Sequence, residues 1–126
     1  DAIRSRGLGD VYKRQGQWML TAPFDDHEDI VASFVGTFKG KASLTDQTDG
    51  WCRFAIAGQD INRLCSLLCN IDMRKLIDGK ASRTSIEHIG CFLVRIADEC
   101  LHIIAPRSSA GSLYHAISAA AKSVRF

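Results

Sequence analysis

Two cysteines have a spacing that could bind a metal. Cys65 and Cys69 are one helical turn apart, and with His88 or His102 they could supply the sulfur and nitrogen ligands of a zinc site. The same spacing also extends an apolar helical face. Because structural zinc sites favour closely spaced ligand pairs carried by loops, we interpret both cysteines as core thiols and predict no metal ligand.

Phosphate-binding chemistry needs the pattern Gly-x4-Gly-Lys-Ser/Thr, whose backbone amides and lysine act together on the phosphates. Gly79 and Lys80 match the end of this pattern, but Arg74 stands at the first glycine position and Ala81 at the hydroxyl position. The motif is incomplete, so we predict no phosphate-binding loop of this type.

Nucleophilic catalysis would pair a cysteine with a histidine and an acid. Five cysteines and four histidines in a small chain produce such combinations by chance. We expect His27 and His115 to be solvated on helices, and His88 and His102 to be structural groups in strands. No catalytic residue is predicted.

The pattern of the first half of the chain predicts one strand, one helix and two further strands. Residues 17–23 form a strand that Pro23 stops, and Asp25 or Asp26 caps a helix with one apolar face. A short strand over residues 43–47, a turn over 48–50 and a longer alternating strand follow. The residues of the apolar helical face are Ile30, Val31, Phe34, Val35 and Phe38; those of the buried strand face are Cys52, Phe54 and Ile56.

The second half predicts two helices separated by strands. Asp60 can cap a helix, Gly79 ends an irregular stretch, and strands cover residues 83–86, 89–96 and 100–105 with a hairpin turn at 98–99. A final helix follows Pro106, capped by Ser108 or Ser109. The apolar stripes of the two helices are Ile61, Leu64, Cys65, Leu68 and Cys69, and Leu113, Ile117, Ala121 and Val124. The order predicts an α+β fold, with helices packed on a largely antiparallel sheet.

The first fifteen residues differ from the rest. They show no helical or alternating periodicity, and one back-translation of residues 10–15, GATGTGTATAAGAGACAG, resembles the transposase end sequence ligated onto fragments in sequencing libraries. We interpret residues 1–15 as a non-native leader read from an adapter, and residues 16–126 as a single domain. A native basic tail is the alternative.

The net charge of the domain depends on whether residues 1–15 are native. The chain has 16 Lys and Arg against 14 Asp and Glu, and without residues 1–15 the two classes are equal at twelve each. The basic excess that would suggest nucleic acid or an anionic membrane is then lost. No apolar run reaches the ~20 residues of a membrane span. An odd number of cysteines without a secretory leader favours a reducing cytoplasm.

Several ordered blocks together resemble the gamma subunit family of heterotetrameric sarcosine oxidase. The resemblance covers residues 16–126 and includes a Trp-containing strand, the Thr48-Asp49-Gly50 turn, Gly58 before a helix, and Pro106-Arg107-Ser108 before the last helix. The blocks are GQWMLTAP, LTDQTDGWCRFAIAGQDINRLCSLLCNIDM and GKASRTSIEHIGCFLVRIADECLHIIAPRSSAGSLYHAISAAA. That family is itself similar to the folate-binding aminomethyltransferase fold.

The resemblance implies an accessory role in a complex that oxidatively demethylates sarcosine to glycine. The expected partners are the alpha, beta and delta subunits. FAD, FMN, NAD and tetrahydrofolate are expected in those partner subunits, with no cofactor in this chain. The resemblance also implies an aminomethyltransferase-like fold that lacks its N-terminal portion here.

An accessory subunit would work through its surfaces. Aromatic residues are enriched at interfaces, and polar residues in the resembling blocks could serve there or hold the structure. The candidates are Trp18, Trp51, Asp72, Arg83, Phe92, Arg107 and Tyr114. Two alternatives stay open: a folate-binding aminomethyltransferase-like module, and a stand-alone α+β interaction domain.

Overall fold

A computed structural model describes residues 2–5, 9–14 and 17–125 of the chain, with side chains from Trp18 to Arg125. Its first part is a three-stranded antiparallel sheet in the order β1-β2-β3, formed by Ala2–Ser5, Gly9–Arg14 and Gln17–Thr21. The strand predicted before Pro23 is therefore confirmed. Strands β1 and β2 lie in the stretch interpreted as an adapter; that origin stays a prediction, and parts of the stretch lie outside the described residues.

The larger sheet has four antiparallel strands in the order β4-β7-β6-β5. Strand β4 is Trp51–Ala57, β5 is Ala81–Ile86, β6 is Ile89–Ala97 and β7 is Cys100–Pro106. The hairpin predicted at residues 98–99 joins β6 to β7, and the predicted alternation along β4 is confirmed by its burial pattern. Together with three helices, this sheet confirms the α+β class.

Two helices cover one face of this sheet. Helix α2 is Ile61–Leu68 and helix α3 is Ala110–Val124, and both present the predicted apolar stripes to the sheet. Asp60 precedes α2 and Ser109 precedes α3, but neither side chain makes a capping hydrogen bond. The largest fully buried side chains of this core are those of Ile61, Leu64, Cys65, Ile86, Cys91, Leu93, Leu101, Ile103 and Leu113.

Helix α1, Ile30–Phe38, differs from its prediction in both its start and its burial. Its N-cap is Asp29, whose carboxylate accepts the N–H of Ala32 at 3.0 Å, instead of Asp25 or Asp26. Of the five residues on its predicted apolar face, only Phe34 is buried. The periodic pattern correctly indicated a helix, but little in the described chain covers it.

The strand predicted over residues 43–47 is wrong. This segment is a loop that leads into a short 3-10 helix, Thr48–Gly50. The reason is local, because Asp46 accepts hydrogen bonds from both the N–H and the hydroxyl of Thr48, and such bonds divert the backbone from strand pairing into a turn. A second 3-10 helix, Arg107–Ser109, precedes α3.

The other face of the four-stranded sheet has its own small cluster. Phe92, Val94 and Ile104 are buried there, and Met19 of β3 and Trp51 pack against them. This face connects the larger sheet to the N-terminal part of the chain. No helix of the described residues is long and apolar enough to cross a membrane.

Candidate functional site

A cleft of about 330 Å³ lies between β3, α1, the loop 43–48 and the start of β4. Its walls combine apolar side chains with a few polar groups at the loop and on β4. The volume is at the lower end of the range for binding sites in proteins. The apolar lining includes Trp18, Met19, Phe34, Leu44, Trp51 and Ile104, and the polar lining includes Asp46, Thr48 and Arg53.

Both tryptophans of the chain line this cleft. Trp18 is 49% exposed, whereas Trp51 is half-buried and its ring centre lies 5.7 Å from that of Phe92. Trp51 therefore belongs partly to the core, and Trp18 presents an indole to solvent. Of the predicted interface aromatics, Trp51 lines the cleft together with Trp18 and also packs against Phe92.

Asp46 supplies a negative charge beside the cleft. Its Oδ1 accepts the hydroxyl of Thr48 at 2.6 Å and the backbone N–H of Thr48 at 2.9 Å. These two hydrogen bonds, the side-chain one first, lower the pKa of the carboxyl below its ordinary value. The group is therefore ionised at neutral pH, and Oδ2 accepts no hydrogen bond from the described residues.

Arg53 supplies the positive charge. Its side chain is exposed on the edge strand β4, and it makes no hydrogen bond or ion pair with any described residue. The strand register places it in one row with Ile104, Phe92 and Arg83, so that the two arginines flank the apolar pair from opposite edges of the sheet. Only Arg53 of the two lines the cleft.

Helix α1 forms one wall of the cleft and extends its apolar surface. The helix has no charged residue, and Ile30, Val31 and Phe34 face the cleft. Beyond the cleft, Val35 is 53% exposed and Phe24 is 62% exposed. The helix has no charged residue and only Phe34 of its apolar face is buried, so this surface is suited to contact with another molecule.

A second polar centre surrounds Arg95, which the sequence analysis did not single out. Arg95 lies on β6 and is only 5% exposed, yet it forms no ion pair with the described residues. Its guanidinium donates four hydrogen bonds: to the carbonyls of Leu76, Met73 and Asp98 and to Oδ1 of Asn62, at 2.6 to 3.2 Å. The group holds the segment before β5, helix α2 and the β6–β7 turn together.

The cysteines are all free thiols. Burial raises the pKa of Cys65 to about 12 and that of Cys91 to about 11, with a smaller contribution from Cys69 in each case. Such thiols contain almost no thiolate at neutral pH and are poor nucleophiles. Cys65 is therefore a core thiol, as predicted, whereas Cys69, also predicted in the core, is half-buried just after the end of α2. Among the described residues, no group of three or more His, Cys, Asp or Glu side chains could hold a metal ion.

The histidines occupy four different environments. His115 is exposed on α3 as predicted, and His102 is half-buried in β7. His27 was predicted on a helix and solvated, but it precedes α1, lies 4.9 Å from the Phe34 ring, and has a buried Nδ1 without a hydrogen-bond partner. His88 was predicted in a strand and instead lies in the β5–β6 turn, with φ at +64°.

The remaining predicted interface residues are dispersed. Tyr114 is 64% exposed on α3, with its ring 6.5 Å from that of Phe54. Asp72 pairs with Arg74 at 3.0 Å and Arg107 pairs with Asp49 at 3.6 Å. Both ion pairs lie at the protein surface. Arg83 is also exposed, on the opposite edge strand, β5.

Comparisons with known proteins found no match: no family model fits the chain, and neither a curated protein nor a solved structure is significantly similar to it.

Proposed function

We propose that this chain is an accessory subunit of a heterotetrameric sarcosine oxidase, comparable to the gamma subunit of that complex. In this role it performs no chemistry of its own. It binds the larger subunits and helps to hold them in a working arrangement. Its fold is then aminomethyltransferase-like, as the resemblance of the sequence blocks implies.

The observation that carries the proposal is the uncovered apolar surface around α1. This nine-residue helix has no charged side chain, but only Phe34 is buried. Permanent subunit interfaces are large and apolar, so a helix of this kind fits a chain that works in a complex. The other large exposed apolar side chains are Trp18, Phe24, Leu67, Ile77 and Tyr114.

Partners and location follow from this role. The partners are the alpha, beta and delta subunits, and FAD, FMN, NAD and tetrahydrofolate belong to those subunits. A cytoplasmic location agrees with five free thiols and an odd cysteine count. The candidate interface or structural residues remain Trp18, Trp51, Asp72, Arg83, Phe92, Arg107 and Tyr114. Of these, the exposed aromatic residues Trp18 and Tyr114 are the better candidates for partner contacts.

Co-expression tests the proposal. The full chain would be produced with the alpha, beta and delta subunits of a sarcosine oxidase whose own gamma subunit has been deleted. We expect a complex containing all four chains in equal amounts on size exclusion, with sarcosine-dependent formation of hydrogen peroxide. Native mass spectrometry would give the stoichiometry. Failure of the chain to enter the complex, while the native gamma subunit does so in parallel, would exclude the proposal.

A second candidate function has some support from the cleft. A folate-binding module needs an acidic residue beside a cleft that accepts a planar ring, and here Asp46, Trp18 and Trp51 line such a cleft. Titration of the full chain with tetrahydrofolate, followed by calorimetry, would test this function. Saturable binding that Asp46→Asn weakens at least tenfold would favour it over the accessory role.

A stand-alone α+β interaction domain is the remaining alternative. It would bind a partner unrelated to amine oxidation through the same apolar surface. Purification of a tagged chain from its native host distinguishes the two roles. Recovery of a stable partner other than a flavoprotein oxidase subunit would support the stand-alone domain.

A further inference from the structure

We propose that the cleft between β3, α1 and β4 docks a partner segment that presents an aromatic side chain beside a carboxylate. We name this surface the docking cleft. The inference rests on the proposed function, because it specifies the surface and the chemistry by which an accessory subunit would contact its partner. Its arguments are the geometry and charge of the cleft.

The shape of the cleft selects the aromatic side chain. A volume of about 330 Å³, lined by both Trp18 and Trp51, accommodates one ring and its neighbouring backbone. Aromatic rings gain from offset or edge-on contacts with each other in addition to the burial of their area. Trp18 is half-exposed in the chain alone, and an inserted ring would cover it.

The charge of the cleft selects the carboxylate. Arg53 has no hydrogen-bond or ion-pair partner among the described residues, and its planar guanidinium matches a carboxylate in a bidentate geometry. Tryptophan and arginine are the residue types enriched at the energetically dominant positions of interfaces. The docking cleft is lined by both residue types, namely Trp18, Trp51 and Arg53.

Asp46 restricts the partner further. Its Oδ1 is engaged by Thr48, whereas Oδ2 is left to accept a hydrogen bond. A backbone N–H of the incoming segment would satisfy this oxygen. A uniformly acidic segment is disfavoured, because Asp46 is ionised and would repel a carboxylate placed next to it. The partner segment therefore presents one carboxylate, and that group contacts Arg53.

Intrinsic fluorescence provides a direct test, since both tryptophans of the chain line the docking cleft. The full chain would be titrated with a blocked, tryptophan-free peptide that has a single carboxylate, acetyl-Gly-Asp-Phe-Gly-amide. Two matched peptides serve as controls, one with Asp replaced by Asn and one with Phe replaced by Ala. We expect a saturable change with the first peptide, about fivefold weaker binding of the Asn peptide, and no saturation with the Ala peptide.

Two arginine variants locate the carboxylate contact. Arg53→Gln should bind the Asp peptide about fivefold more weakly and should lose the preference for Asp over Asn. Arg83→Gln removes another exposed arginine from the same face of the sheet, outside the cleft, and should bind as the unmodified chain does. Equal weakening by the two variants would overturn the inference, as would equal affinity of the Asp and Asn peptides.

The outcomes separate this inference from the proposed function. If the chain enters the sarcosine oxidase complex but the peptide gives no saturable change, the docking cleft is wrong and the accessory role stands. If the peptide binds with the expected preferences but the complex does not assemble, the sarcosine oxidase assignment is wrong and the cleft recognises another partner.

Discussion

The guanidinium of Arg95 on strand β6 donates a hydrogen bond of 2.6 Å from Nη2 to Oδ1 of Asn62 on helix α2. This bond joins the four-stranded sheet to its covering helix through a polar contact at the edge of an otherwise apolar core. The same Nη2 also donates to the carbonyl of Met73 at 3.2 Å, so one group holds three parts of the chain. Arg95 is therefore a structural centre of the fold.

Replacement of Arg95 should be strongly destabilising. Arg95→Met would leave the carbonyls of Met73 and Leu76 buried without their donors, and each such loss costs ~1–3 kcal/mol. Removal of the buried charge offsets part of the cost of these lost hydrogen bonds, so we expect the free energy of unfolding to fall by about 3 kcal/mol. Urea denaturation, monitored by circular dichroism, would measure this fall in the free energy of unfolding. The matched control is Arg53→Met at an exposed position, which should lower the free energy of unfolding by less than about 0.5 kcal/mol. Similar losses in both variants would contradict the structural role.

Asn62 gives a milder test of the same contact. Its side chain is on the exposed side of α2, so Asn62→Ala removes the acceptor without opening a core cavity. We expect a loss of about 1.5 kcal/mol, because a hydrogen bond to a charged group contributes ~1.5–3 kcal/mol. Asn70→Ala is the control, since Asn70 is exposed and makes no such bond. In the Arg95→Met background the Asn62 substitution should have little further effect.

The capping residue of α1 can be assigned by mutation. Asp29→Ala removes the acceptor for the Ala32 N–H, and loss of a cap costs about 1 kcal/mol. Asp26→Ala tests one of the two residues that the sequence suggested, and it should leave the helix unchanged. Hydrogen exchange of the α1 amides is the appropriate measurement, because a thinly covered helix can open without global unfolding. Faster exchange in Asp26→Ala than in Asp29→Ala would contradict the cap seen in the structure.

Helices α1 and α2 illustrate what the sequence could predict. Both have apolar residues at helical spacing, and both are helices, but the stripe of α2 is buried whereas that of α1 is largely exposed. Periodicity indicates which face of a helix is apolar and contains no information about what covers that face. The strands of the larger sheet and the β6–β7 hairpin can be predicted for the same reason as α2, because their apolar faces meet within this chain.

The role of Arg95 and the docking cleft could not be predicted in this way. The sequence shows only that an arginine interrupts an apolar run. Its acceptors lie at residues 62, 73, 76 and 98, and these come together only when the helix, the irregular segment and the hairpin have packed. The cleft likewise joins Trp18 to Trp51 across 33 positions of sequence. Contacts of this kind depend on tertiary structure and not on local pattern.

The buried thiols predict the dependence of stability on alkaline pH. Burial raises the pKa of Cys65 to about 12 and that of Cys91 to about 11, above the ordinary value of 9.0. The folded chain therefore binds more protons than the unfolded chain above pH 9, and its free energy of unfolding falls as the pH rises from 9 to 11. Stability below pH 9 is unaffected by these groups. Urea midpoints at pH 8, 9, 10 and 11 would measure the decline, and a Cys65→Ala, Cys91→Ala double variant should show a smaller slope.

The aromatic residues that the sequence proposed for an interface should separate into two classes. Phe92 is 9% exposed within the cluster on the second sheet face, and Phe92→Ala should cost ~3–5 kcal/mol through lost burial and a residual cavity. Trp18 and Tyr114 are 49% and 64% exposed, so Trp18→Ala and Tyr114→Ala should each cost less than about 1 kcal/mol. Urea denaturation of the isolated chain would measure all three.

The same three variants distinguish a structural residue from a contact residue when they are measured in the assembled complex. A substitution that spares the isolated chain but weakens assembly identifies a side chain buried by the partner, because alanine then removes contact area without changing the fold. We expect this behaviour for Trp18, which lines the docking cleft, and a smaller effect for Tyr114, which lies on α3. If Trp18→Ala assembles as well as the unmodified chain while Tyr114→Ala does not, the partner contacts the helical face of the sheet, and the docking cleft is not the interface.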